Sequence, residues 1–533
     1  MAKIQTALIS VSDKTGVAEL ARRLVALGVS IMSTKGTAAL LRERGIPVQD
    51  VADYTGFPEM LDGRIKTLHP KVHAGLLARR ERAHLRELEE LGIRPIDMVV
   101  VNLYPFIDVI AEPGVELRRA IENIDIGGST LVRAAAKNYT HVAVVTSPAL
   151  YDRVAAELER TGGELSAETH VELGVEAFRH TARYDAAIAE YLASIEGRPT
   201  AGPDKLALEF VKRQSLRYGE NPHQRAAFFI EEHVKEPCAA NAQQISGPEL
   251  SFNNILDVDA GIGVVKEFDD PAAVIVKHTD PCGVGIGASL REAYEKAYFG
   301  DPVSALGCVA ALNRPLDADT ARAIAEVRAR HEGGPVPYFI EVLVAPDFEP
   351  EALALLQRKA DWADRTRLLK TGPLDRAAVD AKAQDMRRVT GGLLVQDRDL
   401  LGFDEGKLTL VTEKAPTEEQ MADLRFAWLC CKHVRSNAIT IARGGMLVGV
   451  GAGQMSRIDA TLCAVRKAGE RARGGVLASD AFFPFPDSVE IAAEAGVAAI
   501  IQPGGSKADA AIVQAADRLG IAMVTTGTRH FRH

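Results

Sequence analysis

The sequence predicts an α/β protein of more than one domain. Three observations carry that prediction. Apolar runs of strand length alternate with amphipathic stretches of helical period. Strand ends open repeatedly into loops rich in glycine, hydroxyl and charged side chains, where open α/β sheets bind their ligands. The chain of 533 residues is also too long for one core, which sets roughly two to four domains.

Residues 6–11 read as a first strand, 15–27 as an amphipathic helix and 29–32 as a second strand. Ser33-Thr34-Lys35-Gly36-Thr37 then leads into a helix over 38–44. Strand, hydroxyl-rich loop and helix form a layout that cradles phosphate, because backbone N–H groups at the helix start face the anion. The same serine and threonine residues also cap helices with no ligand. Ser12-Asp13-Lys14 fills the equivalent turn after the first strand, so two loops are placed to share one phosphate. The basic stretch Gly63-Arg64-Ile65-Lys66-Thr67-Leu68-His69-Pro70-Lys71-Val72-His73 reads either as a lid over an anionic substrate or as a solvated loop. A buried strand over 98–101 ends in Asn102-Leu103-Tyr104. Asn123-Ile124-Asp125-Ile126-Gly127-Gly128-Ser129 turns into a helix carrying Arg133 and Lys137, so a carboxylate, a phenol and two lysines can converge here. A strand over 142–146 and helices to residue 195 follow. Gly197-Arg198-Pro199-Thr200-Ala201-Gly202-Pro203 reads as a linker.

Beyond it, Leu216-Arg217-Tyr218-Gly219-Glu220-Asn221-Pro222-His223-Gln224 and the loop over 247–254 are dense in hydrogen-bonding side chains. The apolar run 272–276 reads as a buried strand that ends in Lys277-His278-Thr279-Asp280-Pro281-Cys282-Gly283. Ser289-Leu290-Arg291-Glu292 is a capping box that opens a helix closed by Gly300. A lysine beside a histidine at a strand end favours a neutral imidazole near pH 7, ready to take a proton. The same residue types also fit a hydrogen-bonded strand-end histidine and a solvated lysine. A strand over 342–345 follows Glu341, and 438–442 with 446–450 form a hairpin around Arg443-Gly444-Gly445. Ser479-Asp480-Ala481-Phe482-Phe483-Pro484-Phe485 is an aromatic loop, either a core plug or a platform for a flat heteroaromatic ring. The strand over 498–501, ending in Pro503-Gly504-Gly505-Ser506, echoes the strand-Pro-x-Gly pattern around Pro281 and suggests an internal duplication.

Composition narrows the function classes. The hydrophobic fraction of 47% and charged fraction of 25% fit a soluble globular protein. A net charge of −9 disfavours non-specific nucleic-acid binding, while local basic clusters still admit an anionic substrate. No apolar run reaches membrane-spanning length, and the N-terminus shows no signal-peptide pattern. The six cysteines contain no C-x-x-C pair, consistent with reduced thiols in the cytoplasm. Pro281-Cys282 raises a zinc nucleobase deaminase as a rival, since those enzymes use H-x-E followed by P-C-x-x-C. Gly285 stands where the second thiolate belongs, and the H-x-E at His170-Val171-Glu172 is far upstream, so no metal site is expected.

Over essentially the whole chain the sequence resembles the bacterial bifunctional purine-biosynthesis family. That family combines phosphoribosylaminoimidazolecarboxamide formyltransferase with IMP cyclohydrolase. The motifs that carry the resemblance are Ser10-Val11-Ser12-Asp13-Lys14, Arg64-Ile65-Lys66-Thr67-Leu68-His69-Pro70, Arg217-Tyr218-Gly219, Asn221-Pro222-His223-Gln224, Lys277-His278, Ser436-Asn437-Ala438, Gly453-Gln454-Met455-Ser456-Arg457, Asp480-Ala481-Phe482-Phe483-Pro484-Phe485 and Arg529-His530-Phe531-Arg532-His533. The resemblance implies a methylglyoxal-synthase-like, Rossmann-type cyclohydrolase domain over residues 1–199. It implies a formyltransferase of duplicated cytidine-deaminase-like α/β/α folds over 200–533, without catalytic metal. It further implies a homodimer and 10-formyltetrahydrofolate as formyl donor. The reactions would be formylation of aminoimidazole carboxamide ribotide (AICAR), then dehydrative closure of the formylated nucleotide (FAICAR) to IMP.

Site residues follow from that mapping. His278 would be the base of formyl transfer, Lys277 would stabilise charge and Asn437 would donate to the formyl oxygen. Arg217, Tyr218, His223, Gly307, Glu341, Asn437, Arg457 and Arg529 would hold AICAR. Ile458, Phe482, Pro484, Asp487, Ser506 and Lys507 would line the folate side. In the N-terminal site, Asp125 would accept the amide proton while Lys66, Tyr104 and Lys137 steady and protonate the oxyanion. Ser12, Asp13, Lys14, Ser33, Thr34, Gly36 and Thr37 would cradle phosphate, with Arg64, Thr67, Asn102 and Ile126 completing the nucleotide site. Three places depart from the family pattern. Lys35 replaces a glycine and costs free energy if it needs a positive φ, or else adds charge near the phosphate. Asp280 stands where asparagine is common, and Leu306-Gly307-Cys308 where Phe-Gly-Gly is common. The stretch His331-Glu332-Gly333-Gly334-Pro335 reads as an inserted surface loop. Two other classes stand beside this reading: the zinc deaminase, and a regulatory protein whose N-terminal domain only senses phosphorylated ligands.

Overall fold

The computed structural model describes residues 3–61, 64–195, 206–231, 234–326, 329–331, 334–336, 339–358 and 364–533. The chain divides into two compact units, Met1–Glu209 and Phe210–His533. The linker expected over 197–203 lies outside the described residues. So does the centre of the stretch expected as an inserted loop, whose flanks Ala329–His331 and Gly334–Val336 pair as an antiparallel hairpin.

Unit 1 is built on a parallel sheet of five strands in the order Gln49–Asp50, Ser30–Ser33, Thr6–Ile9, Met98–Val100, Ala143–Val145. The strands Thr6–Ile9, Met98–Val100 and Ala143–Val145 are apolar but for Thr6 and buried at every position, as helical crossovers require. The strand order reverses between Thr6–Ile9 and Met98–Val100. A ligand crevice is expected outside the carboxyl ends of those two strands. The helix after Ser30–Ser33 begins at Lys35, three residues before its expected start, and runs as Lys35–Glu43. Lys35 is therefore the first helical residue and is not among the residues with positive φ. The strain expected of a lysine at that position is absent, which leaves its charge as the difference from glycine.

Unit 2 is organised around one mixed sheet of twelve strands. From its centre outward, one half runs Asp280–Ile286, Ala272–Lys277, Cys308–Leu312, Ile340–Ala345, Arg367–Lys370, Gln243–Ser246. The other half runs Met446–Gly451, Ile439–Arg443, Val476–Ser479, Ala499–Gln502, Ala522–Thr525, Thr409–Leu410. Pairing senses match position by position, two antiparallel pairs followed by two parallel pairs and an antiparallel edge. The halves meet antiparallel at Gly285 and Met446.

The internal duplication is thus real, but its register differs from the expected one. The hairpin of Pro281 corresponds to the hairpin of Gly444, and Pro503 corresponds to Pro346, each directly following its strand. Glycines at alternate positions mark the true repeat. A Cβ at Gly283 would lie 2.0 Å from the Ala297 carbonyl oxygen, and one at Gly451 would lie 1.9 Å from that of Ala460. These glycines let the helices Leu290–Gly300 and Arg457–Ala468 pack directly on the backbone of the two central strands. Residues alternate between faces along each strand. Val274 and Val276 join one continuous core with helices Phe252–Val265 and Glu418–Cys431, whereas Ala273 and Ile275 face a second core under Leu290–Gly300.

Candidate active sites

In unit 1 the switch-point crevice is tied shut at its base by Asn102. Its Oδ1 accepts from the Ser12 N–H (2.6 Å), the Ser12 Oγ (2.8 Å) and the Asp13 N–H (2.9 Å). This joins the loops of the two central strands. Lys14 crosses to the next loop, donating to the Thr37 Oγ1 (2.8 Å) and to the Val11 carbonyl. Burial, and then the charge of Lys66, lower the Lys14 pKa. Thr34 precedes the helix with no side-chain cap, so the N–H groups of the first turn, Lys35, Gly36 and Thr37, have no side-chain acceptor from it. Ser33 is fully buried and donates its hydroxyl to the Ile9 carbonyl (2.6 Å), so it contributes to this loop through packing.

Beside the crevice, Lys66 Nζ lies 3.0 Å from the Tyr104 hydroxyl. Asp125 caps the helix Ile126–Lys137, accepting from the Gly128 N–H at 2.7 Å. A Cβ at Gly128 would strike that carboxylate at 2.3 Å, so only glycine fits the cap. Burial raises the Asp125 pKa, while the Gly128 N–H and the charge of Lys66 pull it back. Lys66, Tyr104 and Asp125 therefore share one environment with Lys14. Thr67 is buried close to Gly127, where an added Cβ would meet its Oγ1 at 2.9 Å. Arg64 is exposed and paired with Glu122, and Ile126 is exposed at the helix start.

Lys137 ends the helix that Asp125 begins, about 18 Å along the axis at 1.5 Å per residue. Tyr184 is a site residue that the sequence does not reveal. Its hydroxyl receives the Asp125 N–H (2.8 Å) and donates to the Asn123 carbonyl (2.7 Å) from the distant helix Ala167–Ile195. No local motif marks it.

In unit 2, Lys277 ends its strand with Nζ 2.7 Å from the Leu306 carbonyl and 2.9 Å from that of Gly307. An ammonium has three donors, so one remains for a ligand. Gly307 has φ +66, and a Cβ there would come 3.4 Å from Lys277 Nζ. His278 and Thr279 form the two-residue turn to the next strand, with φ 54 and 64. Asp280 accepts from the Arg435 N–H at 3.0 Å, and the Arg435 guanidinium bonds the Thr279 hydroxyl. The His278 turn is thereby fastened to the segment that carries Asn437.

Glu341 sits on the Gly307 side. It accepts from Asn254 Nδ2 (3.1 Å) and lies 3.6 Å from the Arg367 guanidinium. Arg367 is nearly buried and feels the charges of Glu341, Arg217 and Tyr218, which places Arg217 and Tyr218 nearby. Asn254 and Arg367 are absent from the sequence-derived set. Asn254 has a visible signal, the capping box it forms with Ser251, but that signal reads as helix chemistry. His223 is exposed in the turn after Tyr218, and nothing ties it to Lys277 or Glu341.

On the other half, Asn437 donates to the carbonyls of Gln454 (2.9 Å) and Met455 (3.2 Å) and accepts from Arg457 Nη2 (2.7 Å). Its amide is thus engaged with the protein through both its nitrogen and its oxygen. Arg457 is buried and paired with Asp480 at 2.5 Å, and its guanidinium braces Asn437. Arg529 is exposed over the Phe531 ring, in the C-terminal segment that Ser436 and Asp480 anchor through Arg532 and His530. Phe483 is a fully buried core residue, while Phe482 and Phe485 are exposed, so the aromatic loop is part plug and part platform. Gln502 Oε1 accepts from the N–H groups of Phe483 and Gly504. It thus holds the loop of Phe482 and Pro484 beside the loop of Ser506 and Lys507. Asp487 opens the helix Asp487–Glu494, and Ile458 lies in the first turn of Arg457–Ala468.

Among the described residues no group of three or more His, Cys, Asp or Glu side chains is arranged to hold a metal ion. Burial pushes the Cys282 thiol well above its usual range, the opposite of what a thiolate ligand needs.

A family described as AICARFT/IMPCHase bienzyme matches residues 135–467, and an MGS-like domain matches residues 16–130. A protein of Bacillus cereus (strain AH187) named bifunctional purine biosynthesis protein PurH is 49% identical over 530 residues, covering 99% of this chain and 100% of its own. Proteins of the same name from Bacillus cereus (strain AH820) and Bacillus anthracis are 49% identical over 528 residues, 99% of each chain. With identity sustained from end to end and both domain types present in order, the chain belongs to the AICARFT/IMPCHase bienzyme family.

Proposed function

We propose that each unit carries one of the two reactions, with Lys66, Tyr104 and Asp125 closing the ring in unit 1 and Lys277 and His278 transferring the formyl group in unit 2. As a member of its family the chain is a bifunctional enzyme of purine biosynthesis, AICAR formyltransferase and IMP cyclohydrolase, performing the last two steps of IMP synthesis. It acts on small-molecule nucleotide and folate substrates. No described helix is long and apolar enough to cross a membrane. Our reading adds 10-formyltetrahydrofolate as the donor, a homodimer as the working form and the cytoplasm as its place.

The observation that supports the division is that each unit holds its own cluster of strand-end polar groups. For formyl transfer, the AICAR amine is conjugated with its ring and is a weak nucleophile. It attacks the formyl carbon as His278 takes its proton. The remaining N–H of Lys277 meets the oxyanion. The carbon–nitrogen bond to the folate then breaks, and the proton returns from His278 to the folate nitrogen. Arg217, Tyr218, Glu341 and Asn254 would hold the nucleotide, with Phe482 and the Ser506 loop on the folate side.

For ring closure, the carboxamide nitrogen attacks the formyl carbon of the same molecule. Holding both groups together removes most of the entropic barrier. Asp125, raised in pKa by burial, accepts the amide proton. Lys66 and Tyr104 hold the former formyl oxygen, which leaves as water with one proton from each nitrogen. The crevice at Ser12, Lys14, Gly36 and Thr37 would take the phosphate.

The test supplies AICAR and 10-formyltetrahydrofolate and follows IMP. His278→Ala is expected to abolish IMP formation from AICAR while supplied FAICAR still cyclises. Asp125→Ala is expected to let FAICAR accumulate, each loss being on the order of 10²–10⁴-fold. Loss of cyclisation in a folded His278→Ala protein would overturn the assignment.

A further inference from the structure

The two halves of unit 2 build the same hairpin turn from different residues. His278-Thr279 joins its strands with φ 54 and 64, and Gly444-Gly445 joins the equivalent pair with φ 60 and 68. A two-residue turn with both φ values positive has the hairpin geometry that glycine enters freely. Histidine enters it less readily, and β-branched threonine there is an outlier. Both turns are held from the shared core face by an aspartate of the preceding helix. Asp423, in Glu418–Cys431, accepts from Gly444 N–H (2.8 Å) and Gly445 N–H (2.9 Å). Asp257, in Phe252–Val265, accepts from Thr279 N–H at 2.6 Å.

The second half shows the device without chemistry, a carboxylate fixing a glycine turn. In the first half the same device grips a turn that carries the Lys-His pair. We propose that Asp257 is a positioning residue for formyl transfer, whose hydrogen bond to Thr279 keeps the His278-Thr279 turn left-handed and so aims the imidazole. This rests on the reading of Lys277 and His278 as catalytic. The carboxylate is half-buried. Burial raises its pKa, while the Thr279 N–H and the charges of His278 and Lys277 pull it back, which places it against the pair. Arg435 grips the same turn through the Thr279 hydroxyl, so Asp257 is one of two side chains that hold it.

The test uses the full-length chain and four variants, D257A, D257N, T279G and D257A/T279G, with kcat and KM for AICAR measured separately. Cyclisation of supplied FAICAR and the melting temperature report on folding. D257A is expected to lower kcat for formyl transfer by about 10²-fold, the cost of a displacement near 1 Å at a reacting group. KM for AICAR should stay within about threefold, since ground-state contacts are untouched. D257N keeps an Oδ1 acceptor and should lose less than about tenfold, a neutral hydrogen bond being weaker than a charge-assisted one. T279G in the D257A background should restore at least about tenfold, because glycine holds a positive φ without a clasp.

A merely structural Asp257 gives no such rescue. The proposal is overturned if D257A leaves kcat within about twofold of wild type, if D257A/T279G is as slow as D257A, or if D257N is as slow as D257A, which assigns the effect to charge. Should D257A fail to fold, D257E, whose carboxylate reaches one methylene further, replaces it, and rescue by T279G decides in the same way. H278A separates the two claims. Normal formyl transfer in H278A removes the catalytic reading itself, whatever D257A shows.

Discussion

Asp480→Ala should destabilise unit 2 and slow formyl transfer while leaving ring closure intact. Asp480 is fully buried, and its partner Arg457 retains 5% of its side-chain exposure. The carboxylate takes three donors: Arg457 Nη1 and Ser436 Oγ, each at 2.5 Å, and Ala438 N–H at 3.1 Å. Removing it strands a guanidinium where water cannot reach. Breaking a buried pair in this way costs about 3–5 kcal/mol. At about 2 °C per kcal/mol, the low end of the usual range and suited to a large unit, the melting temperature should fall by about 6–10 °C. Arg457 also holds Asn437 Oδ1 at 2.7 Å, so a displaced guanidinium disturbs the segment fastened to the His278 turn. Calorimetry of the full chain, paired with separate assays of formyl transfer and FAICAR cyclisation, reads all three effects. The double variant Arg457→Met/Asp480→Leu leaves no stranded charge and should recover part of the lost stability. A shift within about 2 °C for Asp480→Ala, or a double variant no more stable than the single one, would refute the buried-brace argument.

Lys35→Gly should raise KM for FAICAR a few-fold at low salt and little at high salt, since only an exposed charge is removed from a helix start that has no strain to relieve; a KM unchanged at low salt would dismiss the charge. The cyclisation rate should fall with decreasing pH through the Asp125 pKa, and because burial raises that pKa the acid limb should lie above the ordinary carboxylate range; a pH–rate profile with its limb at or below that range would remove Asp125 as the base. Burial raises the Glu236 pKa, but Arg398 and Lys266 outweigh it and hold the carboxyl at about 2. Its stabilising effect is therefore complete above the unfolded pKa of about 4.3 and is lost as pH falls from there towards about 2, so Glu236→Gln should flatten the acid limb of unit 2 stability. Residues 1–209 expressed alone should fold and cyclise FAICAR, because the unit has its own core; a folded fragment without activity would tie ring closure to the rest of the assembly.

The α/β class, the strand-end loops of unit 1 and the Lys277-His278 strand end were legible because their signals are local. A buried parallel strand is a short apolar run, and the polar residues after it mark a loop. The features that escaped depend on partners far apart in the chain. Tyr184 reaches Asp125 across 59 positions, and Asn254 reaches Glu341 across 87. Neither sits in a pattern that names its partner. For Asn437 and Arg457 the sequence did not show the protein partners that hold them, because residue type does not tell whether a guanidinium also meets a buried carboxylate. Lys137 follows Asp125 closely in sequence and stands at the other end of the same helix.

The duplication explains which signals belong to the fold and which to the chemistry. The expected echo between Pro281 and Pro503 compared strands of different rank in the sheet. The sequence held a truer mark in Gly283-Val284-Gly285 and Gly449-Val450-Gly451, both of which admit a helix to van der Waals contact with strand backbone. Features that occur in both halves serve the backbone, as these glycines and the pair Asp257 and Asp423 do. Features that differ at equivalent places are free to carry chemistry. At the hairpin, Lys277-His278-Thr279 stands opposite Arg443-Gly444-Gly445 on the same turn geometry. A glycine pair is what the turn conformation favours, so a histidine and a threonine there oppose local preference. Such opposition persists where function requires the side chain and the surroundings hold the backbone. Asp257 and Arg435 supply that hold, which makes the strained turn an argument for the catalytic assignment of His278 that does not depend on the family.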